Sequence, residues 1–458
     1  MITRLSYTIF LVLLIASIYF YLERTVFLDI SFHLFFLTKG DFAIQNSRFI
    51  AFLTQLFPLS GMALGLSLKP IMLLYSSAFV IVPFLYFLLI RYIVKDRDLS
   101  LIVVLSTFWL VSDTFFWIQS ELPQGMWAMV LYFALFHKSL LQDQPNIWYQ
   151  SFLSLIAFFL AFAHPLLIFP ILYCFAFFGL KYKRTQFFWS QLVIYFSILI
   201  IKQLFFKAAY DSQAMGGLSS FKSLFPNYFT IDTNVQFLKY LINDYYLLLL
   251  GAIAVIAFYI KSKNWFQLLN YLIFSAFFLL LINVTYAGRN PEKFYIENLY
   301  LPLGMMLLFP LVLDVFKTIK REAVLTALIS IVFIVRMIDI YSISGQYTNR
   351  VTYLESISDK LNEKKLDKLI IPASTVDNKL LKMNWGFPYE MWLLSTMKTG
   401  KTQSVVLENE ANELSWTMER KDAFITNWGV FDYKNLSPRY FIFPDSTQSY
   451  RFVEAPFE

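Results

Sequence analysis

Several ionisable side chains stand inside or at the end of long apolar runs of this chain, among them two carboxylates and a lysine. Asp113 precedes Glu121 by about two helical turns, and Lys202 lies in a later apolar run. An ionised group is costly in the hydrocarbon of a bilayer, so such residues mark polar cavities or functional sites. A lysine can extend its stem to the membrane surface, whereas the shorter carboxylates cannot. The carboxylates therefore predict a polar cavity, in which they can act as general bases.

His164 is a candidate of a different kind, because it stands before Pro165 between two apolar runs. A lone histidine at a helix end serves as a cap at least as often as it serves in catalysis, so both interpretations stay open. With His33 and His137 it completes three histidines that show no zinc-type spacing, and the chain has one cysteine. No phosphate-binding glycine loop, nucleophile elbow or HExxH motif is present, so nucleotide, serine and zinc hydrolysis are poorly supported.

The composition identifies the elements that must position these side chains. Of 458 residues, 58% are hydrophobic, 19% aromatic and 15% charged. A soluble domain has roughly 45–50% apolar and about 25% charged residues, which excludes a soluble enzyme. Apolar runs of about 20 residues recur along the first three quarters of the chain, as transmembrane helices require. The sequence therefore predicts an all-α polytopic membrane domain over residues 1–341, in contact with a lipid bilayer.

The net charge of +7 resolves into an orientation signal. Residues 1–341 hold 24 Lys and Arg against 16 Asp and Glu, whereas residues 342–458 hold 14 against 15. The basic residues of the first part are clustered in short polar breaks, and short Lys- and Arg-rich loops face the cytoplasm. This account is favoured over a nucleic-acid-binding patch, so no nucleic-acid partner is expected. The clusters are Lys95/Arg97, Lys138, Lys181/Lys183/Arg184, Lys261/Lys263 and Lys317/Lys320/Arg321.

We predict about eleven spans, with the N-terminus in the cytoplasm and residues 342–458 outside. This topology leaves a long outer loop at 23–69 and places the ionisable residues of the spans in the outer half of the membrane. The predicted spans are 5–22, 70–94, 99–118, 124–137, 150–163, 166–180, 187–208, 240–260, 265–284, 299–316 and 323–341.

Residues 342–458 change in composition and predict a small soluble α/β domain. Strand-like runs at 369–371, 404–407 and 440–443 alternate with a helical pattern around 388–397. Four tryptophans of this part can either stack on sugar rings or fill a small core, and the core is the commoner role. They are Trp385, Trp392, Trp416 and Trp428.

The first outer loop is too apolar to be a solvated linker. Its runs 27–38 and 47–57 predict two juxtamembrane helices lying along the membrane surface with their apolar faces down. Asp29 stands at the start of the first of these helices, and the loop enters the second span through Leu64-Gly-Leu-Ser-Leu.

This arrangement resembles the GT-C glycosyltransferases, polytopic enzymes that transfer a sugar from a polyprenyl-phosphate donor on the outer side of the membrane. In that superfamily an acidic residue of the first outer loop is the catalytic base or positions a metal, which implies that role for Asp29. A late outer segment with basic residues, tyrosine and proline is also similar, here residues 287–302. The resemblance implies an enzyme of a bacterial inner membrane that acts on a glycan, lipid or protein acceptor.

One departure concerns the paired acids that many members carry, because Asp29 is followed by Ile30. Asp41 is the candidate for the second acid, and Glu121 is a third candidate for catalysis. A bound divalent cation would need several converging oxygen ligands, so metal dependence stays open. Cations are expected to bind the leaving phosphate. The candidates for substrate binding are Arg48, Asp113, His164, Lys202, Arg289, Lys293 and Tyr295.

Three other classes of protein are compatible with many spans. A transporter or flippase would place its site near the midplane between repeated halves, and the sequence has no internal symmetry. A polysaccharide polymerase or ligase is expected to carry an Arg-rich outer loop, yet the loop 209–239 contains no Arg. A scaffold would use the outer domain to bind a partner.

Overall fold

The fold is described from a computed structural model over residues 1–118, 121–141, 147–206, 221–224, 226–289, 291–410, 413–443 and 447–454. The first part of the predicted loop 209–239 lies outside these residues. Most of the described chain is helical, as its apolar runs predict. The longer helices are Ile2–Tyr19, Leu28–Leu37, Phe52–Ala63, Leu68–Leu88, Arg97–Ser106, Glu121–Leu140, Ile147–Ala161, Ile168–Lys181, Gln186–Phe205, Asp232–Asn243, Tyr246–Lys261, Trp265–Thr285, Lys293–Pro310, Glu322–Glu363 and Phe387–Thr399; short ones are Tyr21–Thr25, Phe221–Leu224 and Asn378–Leu381.

Several helices have the length and composition of membrane spans. Within the described ranges six helices meet this test, and a seventh is counted if Asp232–Asn243 and Tyr246–Lys261, bent by 85°, form one span. Shorter apolar helices include Ile147–Ala161 and Pro165–Lys181. Each of the eleven predicted spans overlaps a helix of the structure. The protein is therefore a helical membrane protein, and the count of eleven stays a prediction.

The predicted third span, 99–118, is not one continuous helix. Its helix ends at Ser106, and Asp113 lies in a short 3-10 helix, Asp113–Phe115. The buried Glu297 carboxylate accepts the backbone N–H groups of Ser112 at 2.7 Å and Thr114 at 2.9 Å. Backbone groups that leave a helix inside a protein need partners, and this carboxylate supplies them. Asp113 is therefore held in an irregular segment rather than on a helix face.

The first outer loop forms the two expected helices, Leu28–Leu37 and Phe52–Ala63. The apolar residues of the first helix do not face lipid as predicted, because the helix is buried by protein on nearly all sides. The Phe35 ring contacts the rings of Tyr389 and Trp392 of the C-terminal part, with distances between ring centroids of 5.2 and 5.6 Å. The apolar residues of this helix, which predicted contact with lipid, are in contact with protein instead.

The described residues of the C-terminal part form two small sheets. Lys368–Pro372 pairs in parallel with Ser404–Glu408 and with Arg451–Phe452, and Ala423–Thr426 forms an antiparallel hairpin with Gly429–Asp432. The helix expected around 388–397 is Phe387–Thr399.

The prediction of a strand at 440–443 was wrong. Ile442 forms two hydrogen bonds there, both to Thr402, through its backbone N–H and its carbonyl oxygen. A single bridging residue does not make a ladder, and Tyr440 and Phe441 instead pack into the core of this part.

A buried ion pair joins the C-terminal part to the first outer loop. Arg350, on the long helix Glu322–Glu363, contacts both carboxylate oxygens of Glu390 at 2.6 Å. Arg350 also donates to the Val26 carbonyl oxygen at 2.8 Å, and Glu390 accepts the Leu28 N–H at 2.6 Å. The pair therefore fixes the backbone on both sides of Phe27, directly before Asp29.

Leu28 is held in an uncommon backbone conformation, with φ of 39°. A non-glycine residue pays a steric cost there, which the surrounding contacts must offset. Gly386 permits the close approach, because a Cβ atom added to it would lie 2.9 Å from the Leu28 Cα and 3.2 Å from a Glu390 oxygen.

We expect Gly386→Ala to destabilise the protein, because the new methyl group meets backbone that cannot move away. The expected loss is about 1–3 kcal/mol, as for overpacking of a core. Gly345→Ala is the matched control, since a Cβ there meets no described atom within 4 Å on an exposed helical face. The control should be neutral or more stable. Thermal unfolding in detergent measures both, and equal effects of the two substitutions would contradict this account.

Candidate functional site

A polar cavity of about 320 Å³ lies where the first outer loop, the membrane helices and the C-terminal part meet. It brings together five of the residues predicted for the site: Asp29, Arg48, Glu121, His164 and Tyr295. The remaining lining residues are Gln45, Asn46, Trp117, Phe294, Asn298, Leu299, Met383, Trp385 and Trp428.

Asp29 lies in the first turn of Leu28–Leu37, with its carboxylate at the cavity. The Trp117 indole N–H donates to Asp29 Oδ2 at 2.9 Å. Burial raises the pKa of Asp29 to about 6; the Trp117 hydrogen bond lowers this pKa and the Glu121 charge raises it. A carboxylate with a pKa close to neutrality is suited to accept a proton from a substrate hydroxyl.

Glu121 and Arg48 form a buried pair in the same cavity. Arg48 Nη1 lies 3.3 Å from Glu121 Oε2, and Glu121 is the first residue of Glu121–Leu140, where the helix dipole favours a carboxylate. Arg48 follows a tight turn in which its N–H donates to the Gln45 carbonyl oxygen at 2.9 Å. The central residues of that turn, Asn46 and Ser47, have φ of 49° and 56°. This geometry directs a guanidinium into a site that also holds two carboxylates.

His164 both caps a helix and lines the cavity, so the two sequence interpretations are compatible. Its Nδ1 accepts the Leu166 N–H at 3.2 Å at the start of Pro165–Leu167. Burial lowers the pKa of His164 well below its ordinary value, and the charges of Arg48 and Lys202 lower it further. A neutral imidazole that accepts at Nδ1 carries its proton on Nε2, so His164 is a hydrogen-bond donor there.

Lys202 is buried near His164 without lining the described cavity. Its Nζ lies 5.7 Å from the centroid of the Phe162 ring, and its charge acts on the His164 imidazole. The predicted cation is thus close to the site, although the described cavity does not reach it.

The predicted residues Asp113 and Lys293 belong to a separate network. Lys293 Nζ lies 3.0 Å from Asp113 Oδ2 and 2.8 Å from Asp244 Oδ1. Asp113 Oδ1 also accepts hydrogen bonds from Gln346 at 2.8 Å and Tyr347 at 2.9 Å. These contacts tie the irregular third span to the long helix. In the structure, this carboxylate and this lysine therefore hold segments of the protein in position relative to one another.

Two further predicted residues, Asp41 and Arg289, are exposed and are not among the described lining residues. Tyr295 does line the cavity, and its hydroxyl lies 2.9 Å from the hydroxyl of Tyr286. The second carboxylate that the structure sets beside Asp29 is thus Glu121 rather than Asp41.

Trp117, Gln45 and Asn46 were missed from the sequence. Trp117 lies at the end of a predicted span, where an aromatic residue is ordinary at the membrane interface. The sequence offers no signal that its N–H would reach a carboxylate 88 positions away.

An apolar groove of about 660 Å³ adjoins this region. It is lined by residues of four helices: Phe52–Ala63, Leu68–Leu88, Glu121–Leu140 and Ile147–Ala161. Ile50, two positions after Arg48, also lines it. Leu56, Leu85 and Phe152 of the lining are 42–48% exposed, as expected where a groove opens to lipid. Arg48 of the cavity and Ile50 of the groove are thus two positions apart along the chain, and the helix Glu121–Leu140 contributes residues to both.

Carboxylates can also bind a metal ion. Asp29 and Glu121 are two such groups in the cavity, and among the described residues no three His, Cys, Asp or Glu side chains converge on one point.

No family model, curated protein or solved structure matches the chain.

The pKa of Asp29 can be measured by chemical labelling, since a hydrophobic carbodiimide reacts with protonated carboxyl groups. We expect labelling of Asp29, followed by mass spectrometry, to fall as the pH rises through about 6. Trp117→Phe should move this midpoint to higher pH, because it removes a hydrogen bond that stabilises the ionised form. Glu121→Gln should move it to lower pH, because it removes a neighbouring negative charge. Shifts in the same direction would refute the assigned environment.

Proposed function

We propose that the protein is a membrane glycosyltransferase of the GT-C type. It transfers a sugar from a polyprenyl-phosphate donor to an acceptor hydroxyl. The observation that carries the proposal is a polar cavity lined by Asp29 and Arg48 together with an apolar groove between membrane helices, which is lined by Ile50 two positions after Arg48. Burial of Asp29, which raises its pKa, agrees with this proposal. Transfer of a sugar from a lipid-linked donor to a hydroxyl group needs both a proton acceptor and a place for a long hydrocarbon chain.

Asp29 is the base of the proposed reaction. The acceptor oxygen forms a bond to the anomeric carbon of the donor sugar and passes its proton to the Asp29 carboxylate. The bond from the anomeric carbon to the phosphate oxygen breaks, and polyprenyl phosphate leaves with the bonding electron pair. Proton transfer of this kind contributes about 10²–10⁴-fold to the rate.

Arg48 is the cation assigned to the phosphate, and Lys202 contributes positive charge from outside the described cavity. Arg48 lines the cavity, and its guanidinium suits a phosphate because it offers several donors in one plane. Lys202 lies close enough to affect His164, and the Nε2–H of that histidine is a further donor. The negative charge that develops on the leaving group would thus meet positive charge and a donor in one place.

The apolar groove is assigned to the polyprenyl tail. Its lining is almost entirely hydrophobic, and it starts beside Ile50, close to Arg48. A lipid whose tail lay in the groove would have its phosphate near the guanidinium. Burying the tail stabilises the complex by roughly 0.8 kcal/mol per methylene group.

The proposed orientation places the cavity at the outer face of a bacterial inner membrane. Eleven spans with the N-terminus in the cytoplasm are the arrangement that puts every basic cluster on the cytoplasmic side. The C-terminal part contributes Met383, Trp385 and Trp428 to the cavity, which agrees with both lying on the same side.

We expect Asp29→Asn to lower transfer by at least about 100-fold while leaving the protein level and membrane insertion normal. Asp41→Asn is the matched control and should keep full activity, because Asp41 is exposed outside the described cavity lining. Membranes containing each variant are given radiolabelled polyprenyl-phosphate sugars, and incorporation into glycan, lipid and protein fractions is counted. Full activity of the Asp29→Asn variant would show that Asp29 is not the base.

A further inference from the structure

An exposed tryptophan stands at the edge of the cavity, in the C-terminal part. Trp428 is in the two-residue turn of the hairpin that joins Ala423–Thr426 to Gly429–Asp432. Its side chain is 59% exposed, although turns of this kind usually carry small or polar residues. Unlike the other exposed tryptophan of this part, Trp416, the Trp428 ring lines the cavity and is therefore accessible to a molecule bound there.

The orientation of this ring is fixed by its neighbours. Trp428 stacks on Trp385, with ring centroids 4.5 Å apart and planes within 6°. Phe32 contacts both indoles edge-on, with centroids 5.5 Å from Trp428 and 6.1 Å from Trp385. Phe32 belongs to the same helix as Asp29, so the aromatic stack and the proposed base share one support.

Polar amides accompany the stack in the same cavity. Gln45 and Asn46 line it together with Asp29. The face of an indole carries negative charge and attracts the slightly positive C–H groups of a sugar ring. Amide and carboxylate groups supply the donors and acceptors that hydroxyl groups need. An aromatic face beside amides is thus the chemistry that recognises a neutral pyranose.

We propose that Trp428, supported by Trp385, binds a sugar ring of the acceptor, which makes the acceptor a glycan rather than a peptide. This inference rests on the proposed function. Among the described residues, neither tryptophan lines the apolar groove, which is assigned to the donor. The two substrates would then reach Asp29 from different elements: the donor from the membrane helices and the acceptor from the C-terminal part.

The test measures how the full-length protein in detergent binds to an array of immobilised oligosaccharides and peptides. All proteins carry Asp29→Asn, so that the sugar contact is measured without turnover. Trp428→Ala is compared with Trp416→Ala, because Trp416 is 69% exposed in the same part of the chain but is not among the described lining residues. Trp428→Phe tests whether an aromatic ring restores binding.

We expect oligosaccharide binding that Trp428→Ala weakens roughly tenfold, that Trp428→Phe largely restores and that Trp416→Ala leaves unchanged. Equal binding by the two alanine variants, binding to peptides alone, or no binding to any oligosaccharide would overturn the inference. Its failure is distinct from that of the proposed function, because binding is read without catalysis. Conversely, full transfer by Asp29→Asn would reject the proposed base and leave a Trp428-dependent sugar contact standing.

Discussion

The ion pair between Arg350 and Glu390 is the interaction on which the arrangement of the site depends. Both side chains are almost wholly buried, and together they hold the backbone of Val26 and Leu28. Removing one partner of a buried pair leaves an uncompensated charge, at a cost of about 3–5 kcal/mol. Asp29 is the next residue along the chain, so the direction of its carboxylate is set by a contact made more than 300 positions later.

The C-terminal part contributes directly to the arrangement of the site. It provides the helix on which Leu28–Leu37 packs, the glutamate that holds Leu28, and part of the cavity wall. The long helix Glu322–Glu363 continues beyond the predicted span and brings Arg350 to this point. The C-terminal part is therefore a component of the site. In the proposed glycosyltransferase, this arrangement would place the acceptor site of the C-terminal part beside Asp29.

The sequence predicted the class of fold and the main members of the cavity. Glu121 was selected because carboxylates are rare near apolar runs and Asp29 because the first outer loop resembles that of the GT-C glycosyltransferases, and the structure sets both in one cavity. The same rule selected Asp113, which instead forms an ion pair with Lys293. Rarity in an apolar run marks a buried charge, but it does not distinguish a charge paired within the protein from one that faces a cavity.

Other features depend on tertiary contacts that no local pattern records. The apolar helix Leu28–Leu37 has the same periodicity whether lipid or protein covers it, so its burial under the C-terminal part could not be predicted. The break in the third span depends on Glu297, a residue almost 200 positions away. Trp385 and Trp428 were identified as candidates, but their stacking could not be predicted because the turn that carries Trp428 is defined by strand pairing.

The proposed reaction requires one lipid-linked sugar to occupy both the cavity and the groove. An electron cryomicroscopy structure of the full-length protein with a polyprenyl-phosphate sugar tests it most directly. We expect density for the phosphate within hydrogen-bonding distance of Arg48, for the sugar facing Asp29, and for the tail between Phe52–Ala63 and Ile147–Ala161. A lipid bound with its phosphate away from Arg48, or with its tail outside this groove, would contradict it.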